Sequence, residues 1–213
     1  MDESKFSNYR AIHKERFFHG RKILKNEEGY VKSYLYRLED VLMRALDAHP
    51  RTFAFRVDFH EPDNLDIRRR QRLMESMLAS FRYRINNRVK RLREKDIYYP
   101  SSDVRHVWTR ERSASGLVHY HCLFLLNKDA FGFLGTYQQG RDNIFNDLGL
   151  SWASALGVPA GQGFDKMHVP KNATYIINKN GSGMEEAFER FSYLAKVATK
   201  HRDGFHAFGA SRI

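Results

Sequence analysis

A single cysteine is the clearest shortage in this 213-residue sequence. One thiol cannot form a disulfide within the chain, and it cannot supply the several sulfur ligands of a cysteine-rich zinc site. Cys122 lies in an apolar run, where we expect it to be a small core residue. No apolar run reaches the ~18 residues that a membrane-spanning helix needs, and the amino terminus is too polar for a signal peptide. We therefore expect a soluble, cytoplasmic protein.

Acidic residues are also scarce relative to basic ones. The sequence has 36 lysines and arginines against 25 acidic residues, which gives a formal charge of +11 and an isoelectric point near 9.8. An excess of this kind favours a polyanionic partner, most often nucleic acid. Eleven tyrosines and sixteen phenylalanines add rings that can stack on bases, although most phenylalanines will pack in the core.

Two histidines open the apolar run that extends to Leu126. His119 and His121 are two residues apart, and residues i and i+2 of a β-strand point to the same face. Both imidazoles would then aim at one point, as two nitrogen ligands of a metal ion do. The alternative is a pair of histidines on a half-buried strand without a ligand role.

The segment before this run predicts the other half of a β-hairpin. Residues 104–111 alternate as a strand does, and Ala114-Ser115-Gly116 suits a three-residue loop with glycine in the left-handed conformation. That register places Glu111 opposite His119, on the face that carries both histidines. One carboxylate and two imidazoles would form an open site suited to Mg²⁺ or Mn²⁺. A slip of one residue would turn the carboxylate to the other face.

Two further segments supply charged residues. Residues 51–60 alternate as a strand with a phenylalanine-rich buried face, and Asp58 and His60 end its polar face, where they either reach a site or are solvated. Residues 65–94 predict a long helix whose polar face is almost purely basic, which favours phosphate contacts over an ordinary solvated face. The candidate DNA-binding residues are Arg68, Arg69, Arg72, Arg84, Arg88 and Arg91.

The amino-terminal part predicts a helical extension of the main domain. The first 26 residues lack periodicity and predict a loop with a short helix, whereas residues 27–48 show helical spacing. His49, which precedes a proline, ends that helix. We assign residues 1–49 to an extension that either packs on the main domain or contacts DNA, and residues 50–213 to the main domain.

Residues 185–200 predict a helix with Tyr193, Lys196 and Lys200 on one face. A tyrosine hydroxyl has a pKa of about 10, and neighbouring ammonium groups would stabilise the phenolate and bind the phosphate that it attacks. By itself the Tyr-x-x-Lys pattern also suits an ordinary amphipathic helix. Tyr175, with a lysine four residues on, is the alternative nucleophile.

In combination, these elements resemble the HUH endonuclease superfamily of rolling-circle replication initiators and relaxases. The stretches that carry the resemblance are the phenylalanine-rich strand 53–59, Trp108-Thr-Arg-Glu111, His119-Tyr-His121 and Ser192-Tyr-Leu-Ala-Lys196. Within the superfamily, the chain is most similar to the initiators of filamentous phages and their prophage and satellite relatives. One helix tyrosine stands here in place of an adjacent pair, so the single-tyrosine branch fits better. The sequence has no helicase P-loop, so a partner such as a host helicase would unwind the DNA.

The resemblance implies an α+β fold, with a central antiparallel sheet of about five strands flanked by helices. Strands are expected near residues 51–59, 104–111, 117–126 and 164–169. The implied activity is nicking and rejoining of single-stranded or hairpin origin DNA in a bacterial host cell, with Tyr193 as the nucleophile of a 5′-phosphotyrosine intermediate and Lys196 beside the phosphate. The implied ligands of a Mg²⁺ or Mn²⁺ ion are Glu111, His119 and His121. The implied supporting residues are Asp58, His60 and Lys200.

Two other functions fit parts of the pattern. A non-catalytic DNA-binding regulator on the same fold would need neither the tyrosine nor the metal ligands. A metal-dependent nuclease that uses water would need the ligands but not the tyrosine.

Overall fold

The computed structural model describes residues 11–95, 98–113, 115–197 and 204–212. The strands are β1 (Ile12–His13), β2 (Phe17–Phe18), β3 (Arg21–Lys22), β4 (Tyr30–Val31), β5 (Arg51–His60), β6 (Arg105–Arg112), β7 (Val118–Asn127), β8 (Met167–His168), β9 (Thr174–Asn178) and β10 (Phe208–Ala210). The helices are α1 (Lys32–Ala48), α2 (Ile67–Arg93), α3 (Ile144–Leu156), α4 (Ala160–Asp165) and α5 (Met184–Phe191), followed by a 3₁₀ turn at Ser192–Ala195.

A six-stranded antiparallel sheet forms the centre of the protein. Its order is β10-β6-β7-β5, and the outer edge of β5 pairs with β8 near one end and with β9 near the other. Helices lie on both faces, so the predicted α+β class and the flanked antiparallel sheet are confirmed. None of the helices in the described ranges combines the length and apolar character needed to cross a membrane.

The β6–β7 hairpin has the predicted register. The Ser113 amide donates to the carbonyl of Leu117 at 2.9 Å, and Gly116 has a φ of +85°, a conformation that glycine adopts without steric cost. Glu111 therefore pairs with His119. This turn fixes which side chains of the two strands share a face.

The two faces of the sheet carry different residues. On one, the phenylalanine face, Phe53, Phe55 and Phe59 of β5 pack with α2 and α3. On the other, the histidine face, Leu123 and Leu125 of β7 pack beneath α1 and α5 at the end away from the histidines. Burying a phenylalanine stabilises a fold by about 1.5–3 kcal/mol, so the phenylalanine face is a large part of the core.

Several local expectations were wrong. The described residues before α1 form two small ribbons, β1–β4 and β2–β3, in place of a loop with a short helix. The β2–β3 turn has positive φ at both His19 and Gly20, as a two-residue hairpin loop requires. Helix α1 begins at Lys32 and packs on the histidine face, and the division at residue 49 stays a prediction.

The strand expected at 164–169 forms in part: residues 167–168 are β8, whereas residues 164–165 are the last two of helix α4. A Cβ on Gly163 would lie 2.5 Å from that of Ala153, and one on Gly149 would lie 2.4 Å from the Phe164 ring. The two glycines therefore allow α4 to pack directly against α3. This tertiary contact outweighs the local strand-like pattern.

The helix expected over 185–200 ends early. Helix α5 stops at Phe191, the 3₁₀ turn follows, and Lys196 is extended with φ −54° and ψ 143°. Lys196 forms a β-bridge with Tyr30, and the Val197 amide donates to the carbonyl of Gly29. Pairing with a distant segment thus draws the chain out of the helix, and the predicted shared helix face does not form.

Candidate metal centre and tyrosine site

The candidate ligands lie in two cross-strand rows on the histidine face. One row places Glu111 of β6 beside His119 of β7 and His60 of β5. The next row places His121 of β7 beside Asp58 of β5. Directly paired residues project from the same face, so the sheet brings all five side chains together without contribution from a flexible loop.

Glu111, His119 and His121 form a compact donor group. Glu111 Oε2 lies 3.2 Å from His121 Nε2 and 3.9 Å from His119 Nε2, and one potential ligand atom of each residue lies within 4.8 Å of the others. Two ligands bound at ~2.0–2.2 Å cannot be more than about 4.4 Å apart, so both distances to the carboxylate fit a shared ion. Glu111 and His121 are buried, while His119 is more exposed and leaves an approach from solvent. The three predicted ligands therefore converge on a group that could hold a divalent ion.

Asp58 orients one of the two imidazoles. Its Oδ1 lies 2.8 Å from His121 Nδ1, on the side of the ring away from Glu111. Arg56 Nη2 also lies 2.8 Å from this Nδ1. Asp58 and Arg56 therefore hold the ring edge opposite Nε2, which is the edge that an outer partner of a metal-binding histidine contacts. Burial alone would raise the pKa of Asp58, but the hydrogen bonds and charges of His121 and Arg56 outweigh it and hold that pKa at about 2. Asp58 therefore has the supporting position that was predicted for it.

Arg56 is the site residue that the sequence did not reveal. It is buried, and it donates two hydrogen bonds to Asp58 at 2.8 and 2.9 Å. Its guanidinium carbon also lies 4.3 Å from the centre of the Tyr193 ring. Arg56 alternates in register with Asp58 along β5, which was the one available signal. Strand alternation alone predicts a solvated Arg56, because Tyr193, which covers its side chain, belongs to the distant 3₁₀ turn.

Tyr193 lies against the candidate ligands. Its ring packs edge-on to the His121 ring with centroids 5.1 Å apart, and Lys196 Nζ lies 4.7 Å from the Tyr193 ring centre. Burial and the charge of Glu111 raise the pKa of the Tyr193 hydroxyl, and Arg56 opposes them in part. A cation bound at Glu111 would cancel one cause of this raised pKa. Tyr193 and Lys196 thus meet as predicted, although through the 3₁₀ turn and not along a helix.

The remaining site predictions have separate outcomes. His60 lies near His119, with ring centroids 5.7 Å apart, whereas Lys200 lies outside the described residues. Tyr175, the alternative nucleophile, pairs with Ala54 and contacts Phe191. That position is four residues along β5 from Asp58, or about 13 Å at ~3.3 Å per residue. The structure therefore brings Tyr193, and not Tyr175, to the candidate ligands.

The basic helix α2 packs on the phenylalanine face, across the sheet from the candidate ligands. Arg88 is buried, and it pairs with Asp147 at 2.6 Å and Asp142 at 2.7 Å, which ties α2 to the α3 region. Arg69 donates to the Ala155 carbonyl near the end of α3. These two arginines have structural partners. Arg91 also pairs with Asp142, at 3.2 Å, and Arg84 is half-buried. The DNA-binding role stays a prediction, and its exposed candidates are Arg68, Arg69, Arg72 and Arg91.

Comparison with known proteins gives this arrangement a family. Two relatives from Escherichia coli K12 cover most of the chain. The uncharacterized protein YfjJ is 29% identical over 200 residues, spanning 86% of this chain and 96% of YfjJ. The uncharacterized protein YagK is 30% identical over 202 residues, spanning 86% of this chain and 94% of YagK. No solved structure gives a significant match. The sequence profile of the YagK/YfjJ C-terminal domain matches residues 13–211, and the chain therefore belongs to the YagK/YfjJ C-terminal domain family.

Proposed function

We propose that this protein is a metal-dependent DNA nickase and strand transferase of the HUH type, with Tyr193 as its nucleophile. The single observation that carries the proposal is the contact of the Tyr193 ring with His121, within the group formed with Glu111 and His119. The proposed chemistry uses both the tyrosine and the ligand set, whereas hydrolysis by water needs only the ligands and simple binding needs neither.

The proposed step is a transesterification at a DNA phosphodiester. The Tyr193 oxygen bonds to phosphorus, the bond from phosphorus to the 3′ oxygen breaks, the phenol loses its proton and the leaving 3′ oxygen gains one. The product is a 5′-phosphotyrosine bond, which a 3′-hydroxyl can attack to rejoin the strand. A divalent ion held by Glu111, His119 and His121 would supply Lewis-acid stabilisation of the phosphate oxygens.

The remaining residues position the reacting groups. Arg56 and Lys196 place two positive charges around the Tyr193 ring, and Arg56 opposes the burial and the Glu111 charge that raise the pKa of its hydroxyl. Asp58 holds the His121 ring and Arg56 together, so one carboxylate orients both a candidate ligand and the residue beside the nucleophile. The site therefore couples the orientation of the donor group to that of the tyrosine.

In the cell, the reaction would begin replication at an origin. The substrate would be single-stranded or hairpin DNA, the ion Mg²⁺ or Mn²⁺, and a host helicase the unwinding partner. The formal charge of +11 supports a polyanionic substrate. The setting would be the cytoplasm of a bacterial host.

A covalent-adduct assay tests the proposal. The protein is incubated with Mn²⁺ and a panel of single strands that includes predicted origin hairpins, and the products are separated on a denaturing gel. We expect a protein–DNA adduct that Tyr193→Phe abolishes while its DNA affinity is kept. Tyr175→Phe is the matched control and should form the adduct normally. His119→Ala should lose metal-dependent cleavage.

The other outcomes separate the alternatives. Cutting without an adduct would indicate a nuclease that uses water. Salt-sensitive binding with neither cutting nor a metal effect would indicate a regulator. An adduct that survives in Tyr193→Phe would refute the assigned nucleophile.

A further inference from the structure

The rows that carry the candidate ligands continue onto the neighbouring strand β8. His168 pairs with Asp58 and therefore lies on the histidine face, in the same row as His121. The His60 amide donates to the Lys166 carbonyl at 2.8 Å, which places Lys166 beside His60. Lys166 and His168 extend the candidate site by one strand, and we call them, together with the neighbouring His60, the β8 subsite.

The β8 subsite is exposed and includes one ammonium group, and its backbone is well anchored. All three side chains are exposed, in contrast to the buried Asp58 beside them. Lys166 and His168 are close enough to act electrostatically on His60. The His60 carbonyl also accepts a hydrogen bond from the Trp152 indole at 3.2 Å, which fixes the strand end from the core side. Donor groups on such a backbone change little in position when a ligand binds.

The chemistry of the β8 subsite suits an anion better than a second metal ion. Asp58 is the carboxylate next to the β8 subsite, and both of its oxygens already have partners. Oδ1 contacts His121 and Arg56, and Oδ2 accepts from Arg56. Lys166 offers only donors, because an ammonium has no lone pair. An oxyanion can accept from the ammonium and from the ring N–H that even a neutral imidazole carries.

We infer that the β8 subsite binds a backbone phosphate of single-stranded DNA next to the phosphate that reacts with Tyr193. This inference rests on the proposed function, because it takes the reacting phosphate to lie at the Glu111, His119 and His121 group. Strands are ~4.8 Å apart, so β8 lies about 9.6 Å from β7. Helix α2 packs on the phenylalanine face, so its arginines lie across the sheet from the reacting phosphate. The β8 subsite therefore supplies phosphate contacts where the reaction would occur.

Binding of a fluorescein-labelled oligothymidine strand tests the β8 subsite independently of the reaction. The measurements use Tyr193→Phe protein with EDTA, followed by fluorescence anisotropy over a series of salt concentrations. Adding Lys166→Gln and His168→Asn should weaken binding about 3- to 10-fold. Each lost phosphate contact should reduce the slope of log affinity against log salt by ~0.7. Lys179→Gln is the matched control: it removes the same charge as Lys166→Gln but lies at the far end of the sheet, paired with Asp47.

The outcomes distinguish this inference from the proposed function. Affinity and salt slope equal to those of Lys179→Gln would overturn the β8 subsite, even if the adduct assay succeeds. A clear loss of binding would support it, even if no adduct forms. If His168→Asn instead lowers the number of Mn²⁺ ions bound by the protein, the residues hold a metal and the inference is wrong. Thermal unfolding followed by circular dichroism checks that the exposed substitutions leave the fold intact.

Discussion

Among the described residues, each face of the sheet has one buried histidine, and the pKa values of the two imidazoles are shifted in opposite directions. His106 on the phenylalanine face is 7% exposed and His121 on the histidine face is 6% exposed, so their burial is nearly equal. Burial and the charge of Arg82 lower the pKa of His106 to about 3. Burial would also lower the pKa of His121, but its hydrogen bonds to Asp58 and Glu111 raise it above the ordinary value.

The two buried Arg–Asp pairs differ in the same way. Burial raises the pKa of Asp147 despite its bonds to Arg88, whereas the Asp58 carboxyl, which bonds both Arg56 and His121, has a lowered pKa. Arg88 connects two helices, while Arg56 connects a strand to the candidate nucleophile. Equal burial therefore does not determine the role of a polar group. What matters is whether its partners are other core residues or residues of the candidate metal site.

The largest effect on stability should follow from removing Arg88. Arg88→Met leaves Asp147 buried without its cation, which costs about 3–5 kcal/mol for a broken buried pair. Urea unfolding at pH 7 should show this loss, and the adduct formed per folded molecule at low temperature should be unchanged. A loss below 1 kcal/mol would mean that the pair is dispensable to the fold.

Removing the charge of Asp58 should affect metal binding more than folding. Loss of a carboxylate behind a metal-binding histidine typically lowers metal affinity 10- to 100-fold. We expect Asp58→Asn to weaken Mn²⁺ binding by that factor in isothermal titration calorimetry. Asp147→Asn, which alters the other Arg–Asp pair, should leave the Mn²⁺ affinity unchanged. Equal Mn²⁺ affinities in the two variants would show that the two Arg–Asp pairs do not differ in their effect on the candidate metal site.

Acid should destabilise the protein through His106. The folded state keeps this imidazole neutral, while the unfolded state binds a proton below a pH of about 6.5. Its stabilising contribution is therefore present above that pH and is lost as pH falls towards 3, by up to ~1.4 kcal/mol per pH unit. His106→Asn should flatten this part of the pH dependence of urea unfolding, by about 1.6 kcal/mol between pH 6.5 and 5. An unchanged slope would show that another group causes it.

The smallest effect on stability should come from the exposed face of α2. Arg72 and its partner Glu75 are both more than 70% exposed, so Arg72→Gln should change the free energy of unfolding by less than ~0.5 kcal/mol. If α2 contacts DNA phosphates as predicted, the same variant weakens binding of single-stranded DNA about threefold. Anisotropy with labelled strands measures this, and an affinity equal to that of the unsubstituted protein would assign the basic face to solvation alone.

The parts of the site that the sequence predicted are those set by short-range rules. A glycine at the left-handed position of a three-residue loop determined the register that pairs Glu111 with His119. Strand alternation then placed His121 on the same face. Both rules act within one hairpin, so no information from elsewhere in the chain was needed.

The parts that the sequence did not predict depend on distant segments. Arg56 reads as an exposed strand residue until the 3₁₀ turn covers it, and the early end of α5 follows from pairing with Tyr30. Arg88 has the pattern of a phosphate-binding residue, but its partner Asp147 lies 59 positions away in the sequence. Local periodicity contains no information on such pairings.

The bridge between Tyr30 and Lys196 affects the order in which the parts of the candidate site form during synthesis. Chains fold from the amino terminus during synthesis, so Tyr30 emerges long before the segment that it pairs with. The sheet with Glu111, His119 and His121 can assemble earlier, because β5, β6 and β7 are complete once Asn127 has emerged. Tyr193 reaches its place only when the two ends of the sequence meet. A nascent chain would thus bring Glu111, His119 and His121 together before Tyr193 joins them, so the proposed nucleophile would be the last part of the candidate site to form.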